Sequence, residues 1–466
     1  MSLSSIKISG LRGVAETQEV RFAQPSGEAG SGLTILVGAN NSGKSTLIEA
    51  IDFLRERKAA PTFGEGRRNA IVRGRIQIEY IVSAGGTAVL GTNPLGGGNP
   101  RWSEVDFSLS GGEIFVVSSR RGYIDSGFQN TEAERHNYQS SAIPGDVRGQ
   151  NRQMFGWRLV RMHNNRSEID AILGRILGEV PEWTVEPTSG SGQQYQLRFY
   201  TGYGSHPAEG VGEGLVSLLF LADALYDSRP GDIIVIDEPE LSLHPEPQRR
   251  LAEILAEYAA DRQIVYATHS PYFADWQYVF GGAQVVRVYR EEGRTRFANL
   301  RPETVQRLKS LLGNHANPHV LGIDAREVFF LNDPVLLVEG QEDVVGYQII
   351  ASSVSVQLAG RFYVWGVGGA GNMGRLGLVL RDLAFKRVAM LLDADQAHLA
   401  DPLRKEFPEF SILVSPVDDV RTKRARPGTG PKQGFLDEHW SLPAEQREIA
   451  LAFMKQVNAS IQAGSS

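Results

Sequence analysis

The chain has 466 residues, 41% hydrophobic and 22% charged, with a formal net charge of −6. That length suits two or three globular domains, and the charge excludes a global basic field, so any nucleic-acid contact must come from local patches. The absence of cysteine excludes disulfides and thiolate metal sites, leaving oxygen and imidazole as ligands.

No apolar run of about 18 residues occurs, and the opening Met1-Ser2-Leu3-Ser4-Ser5-Ile6-Lys7 has no signal-peptide character. A cytoplasmic protein without membrane contact is expected. The first chemistry-bearing element is residues 38–46, GANNSGKST, directly after the apolar run Leu33-Thr34-Ile35-Leu36-Val37. A glycine-rich loop between strand and helix predicts binding of a nucleoside triphosphate. Gly38 and Gly43 let the backbone curl, so that N–H groups through Asn40, Asn41 and Ser42 face phosphate oxygens. Lys44 would reach the β- and γ-phosphates, and Ser45 would hold Mg²⁺. The helix from Thr46 onward adds its positive end.

Alternation within residues 73–123 predicts an antiparallel sheet, with the glycine-rich stretch 91–98 as a flexible surface excursion. Residues 151–177 read as helical, with Ile169, Ile172, Leu173, Ile176 and Leu177 as a stripe suited to core or dimer contact. The span 83–200 therefore reads as glycine-rich and helical insertions. The stretch between Lys44 and Asp237 lacks sustained heptads, so no coiled-coil arm is expected. Gly210-Val211-Gly212-Glu213-Gly214 forms a turn before the apolar helix 215–225.

Asp232-Ile233-Ile234-Val235-Ile236-Asp237-Glu238 is a buried strand ending in two carboxylates. Asp237 would bind the nucleotide's Mg²⁺ through water, and Glu238 would polarise the attacking water. A helix over 246–259 follows, then the strand Gln263-Ile264-Val265-Tyr266-Ala267 and the turn Thr268-His269-Ser270-Pro271. A lone histidine is more often structural, but one placed directly after a parallel strand is a site candidate.

From about Arg326 the pattern restarts. Strands end in Glu339-Gly340, in Gly366-Val367-Gly368-Gly369, and in Asp393-Ala394-Asp395, and a fourth strand is Phe410-Ser411-Ile412-Leu413-Val414. Strands alternating with helices predict a parallel sheet with its site at the carboxyl ends. Glu339, Asp343, Asp393 and Asp395 would repel one another there unless cations sit among them. Oxygen-only ligands favour Mg²⁺ or Mn²⁺, and two such ions can activate water and stabilise a leaving 3′-oxygen. The bland account is a set of solvated acidic strand ends. Glu342 reads as an exposed first-turn residue. Asp418 or Asp419 could supply a further acid. Arg421, Lys423, Arg424, Arg426 and Lys432 form a basic run, either solvated or gripping phosphate. Lys432 or Lys423 would then stabilise transition-state charge. Residues 458–466 read as a disordered tail.

The order of these motifs resembles the ABC-type ATPase heads of the SMC, RecF and Rad50 group. That resemblance implies a signature at Gly212, Glu213 and Gly214 facing a partner head's nucleotide, although Gly212 stands where the group has serine. It implies a switch histidine at His269 and a nucleotide-approaching arginine at Arg12, within Leu11-Arg12-Gly13-Val14. The second half resembles the Toprim domain, with V-E-G on the first strand and D-x-D on the third. By that likeness Glu339 is acid/base or metal ligand, and Asp393 and Asp395 are metal ligands. The ordered pair is similar to the OLD (overcoming lysogenization defect) nucleases, including the Gabija nuclease subunit. The element after the fourth strand departs from that family's spacing.

The resemblance implies an α/β protein with an ATPase head over 1–325 and a Toprim domain over 326–457. It implies an ATP-gated, metal-dependent DNA endonuclease or nickase in anti-phage defence, acting as a dimer or larger assembly, with a possible companion defence protein. The rival expectation is an ATP-driven sensor or scaffold with a regulatory second domain, acting through a partner.

Overall fold

A computed structural model describes residues 2–463 except 56–62, 64, 72–73, 84, 93–99, 106–111, 120–127, 130–158, 160–161, 188–193, 202–203, 208–212, 310–323, 332–333 and 426–429. The chain divides into two compact units, Met1–Asn299 and Leu300–Ser466. The sequence set this boundary at 325/326. The difference has a local cause: Arg301 forms an ion pair with Asp382, whose side chain is fully buried, and the helix Pro302–Lys309 follows directly. Among the described residues, no helix is long and apolar enough to cross a membrane.

The first unit is built on a six-stranded sheet. Its strand order is Arg294–Asn299, Gln284–Glu291, Leu33–Val37, Gln263–Ala267, Ile233–Asp237, Ile114–Val117. The first pair is antiparallel, and every other neighbour is parallel. The three inner strands Leu33–Val37, Gln263–Ala267 and Ile233–Asp237 are buried at every position. That explains why they read as unbroken β-branched and apolar runs instead of alternating ones.

A second sheet of five antiparallel strands runs Gln18–Arg21, Leu3–Ser9, Gln77–Val82, Thr87–Thr92, Pro100–Val105. Here the expected alternation holds, with Ile78, Tyr80 and Val82 buried. The helix Lys44–Arg55 buries Leu47, Ile48, Ile51 and Leu54, and these join residues of both sheets in one apolar core. Residues 114–117 were expected in the antiparallel sheet. They instead pair parallel with Ile233–Asp237, and Asp232 fixes the join by accepting a hydrogen bond from the Glu113 N–H at 2.7 Å.

Of the span 151–177, Arg166–Leu177 is a helix, with Ile169, Ile172, Leu173 and Ile176 buried. Much of 151–161 and the loop 93–99 lie outside the described residues.

The second unit carries a four-stranded parallel sheet, ordered Arg361–Phe362, Val335–Leu337, Val388–Leu392, Ser411–Val414. Val388–Leu392 is buried throughout, as a doubly covered parallel strand should be. The helices Gln341–Ser353 and Arg447–Ala463 contribute Tyr347, Ile350, Phe453 and Met454 to one core. Gly377, in the helix Met373–Asp382, approaches Met390 and Phe407 so closely that an added Cβ would lie 2.6 Å from the Met390 methyl.

The tail expectation is corrected. Residues 458–463 continue the helix Arg447–Ala463. Ile461 is buried, and the Asn458 side chain hydrogen-bonds both the Ala359 N–H and the Gln357 carbonyl at 2.8 Å. An amide pinned at both ends and an apolar anchor outweigh the polar composition that suggested disorder.

Candidate functional site

In the first unit the register sets the geometry. Leu36 pairs with Ala267, and Ala267 pairs with Asp237. The loops that follow these three strands therefore start from one edge. On that edge lie residues 38–46, Asp237-Glu238 and Thr268-His269.

The phosphate loop curls through left-handed backbone at Gly38 (φ 148°), Asn41 (φ 60°) and Gly43 (φ 117°). A Cβ at Gly38 would lie 2.0 Å from the Val288 carbonyl oxygen, so glycine is required there on two counts. The Lys44 ammonium folds back onto the Gly38 and Ala39 carbonyls at 2.8 and 3.1 Å. It spans the loop where phosphate oxygens would sit. Burial pulls its pKa down against the opposing pull of Asp237, Glu238 and Glu240. The Ser45 hydroxyl reaches the Asp237 carboxylate at 3.4 Å. Those two groups were expected to share one Mg²⁺, and their closeness fits it.

Glu238 sits in left-handed backbone (φ 54°) with its N–H bonded to the Ala267 carbonyl at 2.8 Å. Strain of this kind costs about 1 kcal/mol or more and gathers at working sites. His269 lies exposed on the same edge. Partial burial and the Lys44 charge hold its imidazole below the usual range, against the pull of Asp237.

Arg12 forms an ion pair with Glu49 at 2.7 Å, on the helix that the phosphate loop opens, and Arg67 meets the same carboxylate at 3.0 Å. Its charge is thus anchored beside the loop's own helix. Glu213 opens the helix Glu213–Asp227. Within that first turn, a Cβ at Gly214 would lie 2.4 Å from the Ser242 carbonyl oxygen. Gly212 lies outside the described residues.

Two functional contacts escaped the sequence. Glu240 accepts hydrogen bonds from the Thr268 hydroxyl and the His269 N–H, and so orients the turn. The P-E-L-S-L-H run held the signal. Thr295 donates its hydroxyl to the Ser42 carbonyl at 2.9 Å, and its N–H to the Gly13 carbonyl at 2.8 Å. It braces the phosphate loop from a strand with no motif of its own.

In the second unit the sheet's carboxyl edge gathers two carboxylate triads. Glu339, Asp393 and Asp395 form one, and Asp343, Asp393 and Asp419 the other, with candidate ligand oxygens within 4.8 Å of one another in each. Four of these five acids carried the sequence expectation. The fifth, Asp419, came to notice only as one of two neighbours. It opens the short strand Asp419–Arg421, which pairs parallel with Gly434–Leu436 and brings it under the sheet edge.

Burial, then the neighbouring carboxylates, push Asp393 up to about 9 and Glu339 up to about 7. Asp343 rises to about 6, chiefly through burial, although its carboxylate caps its own helix by accepting the Gly340 N–H at 2.8 Å. The Glu339 Oε1 atom is buried with no hydrogen-bond partner among the described residues. Hard oxygen donors in close triads and an orphaned buried carboxylate oxygen fit a divalent cation such as Mg²⁺ or Mn²⁺.

The basic run is neither freely solvated nor empty-handed. Arg421 pairs with Glu342 and stacks on Trp440, Arg424 pairs with Glu438, and Lys432 meets Asp395 at 2.5 Å. Lys423 bridges Glu342 and Asp419, both at 2.7 Å. Arg426 lies outside the described residues. Glu342, read as an exposed helix-start residue, is the partner of two of these cations.

Comparison with known proteins bears on this arrangement. A family model described as "AAA ATPase domain" matches residues 1–105, and one described as "AAA domain, putative AbiEii toxin, Type IV TA system" matches residues 117–275. An OLD nuclease from Thermus scotoductus is 35% identical over 157 residues, covering 33% of this chain and 28% of that protein. The chain thus spans little more than a quarter of that relative's length.

Among solved structures, an SMC head bound to the C-winged helix domain of ScpA aligns over 66% of this chain and 100% of its own, with 14% identity and a TM-score of 0.43. An SMC head domain from Thermotoga maritima aligns over 65% of this chain and 100% of its own, with 15% identity and a TM-score of 0.35. The family-model matches support an ATPase, and the curated relative is similar to this chain over a third of its length.

Proposed function

We propose that this chain is an OLD-family ATPase and a nucleotide-gated, divalent-metal-dependent DNA endonuclease or nickase, with its second unit a Toprim-type nuclease domain. The observation that carries the nuclease reading is the pair of carboxylate triads sharing Asp393, beside Lys432, in a chain that also holds a phosphate-loop head.

At the head, the curled N–H groups of residues 38–46 bind the triphosphate and Lys44 neutralises its β/γ end. Ser45 and Asp237 hold its Mg²⁺. Glu238 orients the attacking water, and His269 senses the γ-phosphate from the adjoining strand end. Glu213 and Gly214 would meet nucleotide on a second copy, so the working form is a homo-oligomer.

At the second site, Glu339, Asp343, Asp393, Asp395 and Asp419 would hold divalent cations. Such ions supply charge neutralisation for a phosphodiester and lower the pKa of water. The protein's own contributions are distinct. Glu339, at the carboxyl edge of the sheet, would either take a proton from water and return it to a leaving oxygen or serve as a metal ligand. Lys432 offers an ammonium to the phosphate. We place the setting in defence against phage or mobile DNA, alone or with a companion protein. That setting rests on family likeness alone.

The test is cleavage of supercoiled plasmid with Mg²⁺ or Mn²⁺, with and without ATP, comparing wild type with Asp393→Ala. Nicking or linearisation by wild type alone supports the reading and gives the sign of ATP control. ATP hydrolysis without cleavage under every condition would favour a sensor that acts through a partner.

A further inference from the structure

Two lysines outside the carboxylate set are placed with unusual economy. Lys423 and Lys432 face each other across an antiparallel bridge, with each backbone N–H bonded to the other's carbonyl at 3.0 Å. In such a hydrogen-bonded pair the two side chains leave the same side of the ribbon, with Cα atoms about 5.5 Å apart. Their ammonium groups both approach the Asp419 carboxylate but make their shortest contacts in different triads. Lys432 reaches Asp395 of the first triad at 2.5 Å, and Lys423 reaches Asp419 of the second at 2.7 Å. Lys432 also lies 3.6 Å from Asp419. One short ribbon therefore delivers one cation to each triad.

We propose that Lys423 and Lys432 are built-in counterions for the metal-free site, one per triad, and that each gives up its carboxylate when a divalent cation enters. This inference rests on the metal-binding reading above and concerns how that site is loaded.

Three features support exchange over a permanent ion pair. The Asp419 side chain is only 5% exposed, so without a cation it would be a buried, uncompensated charge. The two lysine side chains are 33% and 29% exposed, and lysine is a flexible, strongly hydrated point charge that can withdraw to water. Lys423 also has somewhere to go. It already touches Glu342 at 2.7 Å, whose side chain is 44% exposed and is held independently by Arg421 at 3.0 Å. Leaving Asp419 costs Lys423 one of two partners, and Glu342 stays paired throughout. The Lys432 ammonium, once displaced from Asp395 and from its longer approach to Asp419, can meet a phosphate, so loading the metal would also arm the lysine.

The experiment is direct Mn²⁺ titration of the full chain by calorimetry and by electron paramagnetic resonance of free Mn²⁺, without nucleic acid. Wild type, Lys423→Met, Lys423→Arg and Asp393→Ala are compared, with thermal melting of each in EDTA and in Mn²⁺. Removing a competing charge next to the second triad should tighten Mn²⁺ binding about tenfold in Lys423→Met. The same variant should melt lower than wild type in EDTA and recover in Mn²⁺. Lys423→Arg, which keeps the charge, should bind no tighter than wild type. Unchanged or weaker Mn²⁺ binding in Lys423→Met overturns the exchange. If Lys423→Met does not fold in EDTA, Lys432→Met supplies the same comparison at the first triad. Wild type binding no more Mn²⁺ than Asp393→Ala would instead overturn the metal reading beneath it.

Discussion

The Glu240 carboxylate accepts the His269 backbone N–H at 2.6 Å and the Thr268 hydroxyl at 2.9 Å. It thereby ties the turn after one parallel strand to the loop after its neighbour. Hydrogen bonds to a charged group are worth about 1.5–3 kcal/mol, and stranding their partners costs more than replacing them. Glu240→Ala should lower the melting temperature and cut ATP hydrolysis at least tenfold, while Glu240→Gln should recover part of the stability. Unchanged hydrolysis in Glu240→Ala would mean that the turn is held by its strand alone.

Lys44→Ala removes the side chain that spans the phosphate loop to the Gly38 and Ala39 carbonyls. ATP affinity should fall about a hundredfold or more, since a charge-assisted contact to phosphate is lost together with the loop's brace. Calorimetric titration with ATP checks this, and an unchanged dissociation constant would remove residues 38–46 from the nucleotide site.

Glu238→Gln keeps the shape of the side chain and removes its basicity. It should bind ATP with near wild-type affinity and hydrolyse it about a hundredfold more slowly. Single-turnover phosphate release distinguishes this from a binding defect. Normal turnover would move the water-activating role to another group.

The metal-free second unit should be most stable in acid. Asp393 is raised in the folded state to about 9, Glu339 to about 7 and Asp343 to about 6. The native state therefore holds more protons than the unfolded chain between the ordinary carboxylate range and those values, and stability falls as pH rises through that window. Melting in EDTA should drop from pH 5 toward pH 9. Mg²⁺ or Mn²⁺ should offset the drop, most strongly at the alkaline end, where binding displaces fewer protons. A flat EDTA profile would show that the carboxylates are not buried together.

Asp393 belongs to both triads, whereas Asp395 belongs to one. Asp393→Ala should abolish DNA cleavage, and Asp395→Ala should weaken it while leaving some Mn²⁺ binding. Both should retain ATP hydrolysis. Equal loss of Mn²⁺ in the two variants would contradict two separable sites.

Much of this was legible in the residues, and the illegible parts share a cause. The phosphate loop, Asp237, Glu238 and the acids at 339, 393 and 395 announce themselves because each closes a continuous apolar run, and parallel strands place their ends together. Asp419 follows no such run. It reaches the site because a short strand pairs with Gly434–Leu436, a long-range event that local pattern does not encode. Thr295 braces the phosphate loop from the far side of the sequence, on a strand chosen for pairing with Gln284–Glu291. The end of the last helix is illegible for the same reason. Its final turns are polar, but Ile461 finds the core, and only the fold supplies that core.

The pairing of Leu36 with Ala267 and of Ala267 with Asp237 has a consequence for how this head could vary. The relative height of the three loops is measured out by backbone hydrogen bonds, not by the side chains between them. Apolar residues within 33–36, 233–236 and 263–266 can be exchanged for others of like bulk with little effect on where the loops begin. A single residue inserted into any one strand would do the opposite. It would turn that strand's faces over and lift one loop out of step with the other two, disarming the head while leaving every chemical group in the sequence.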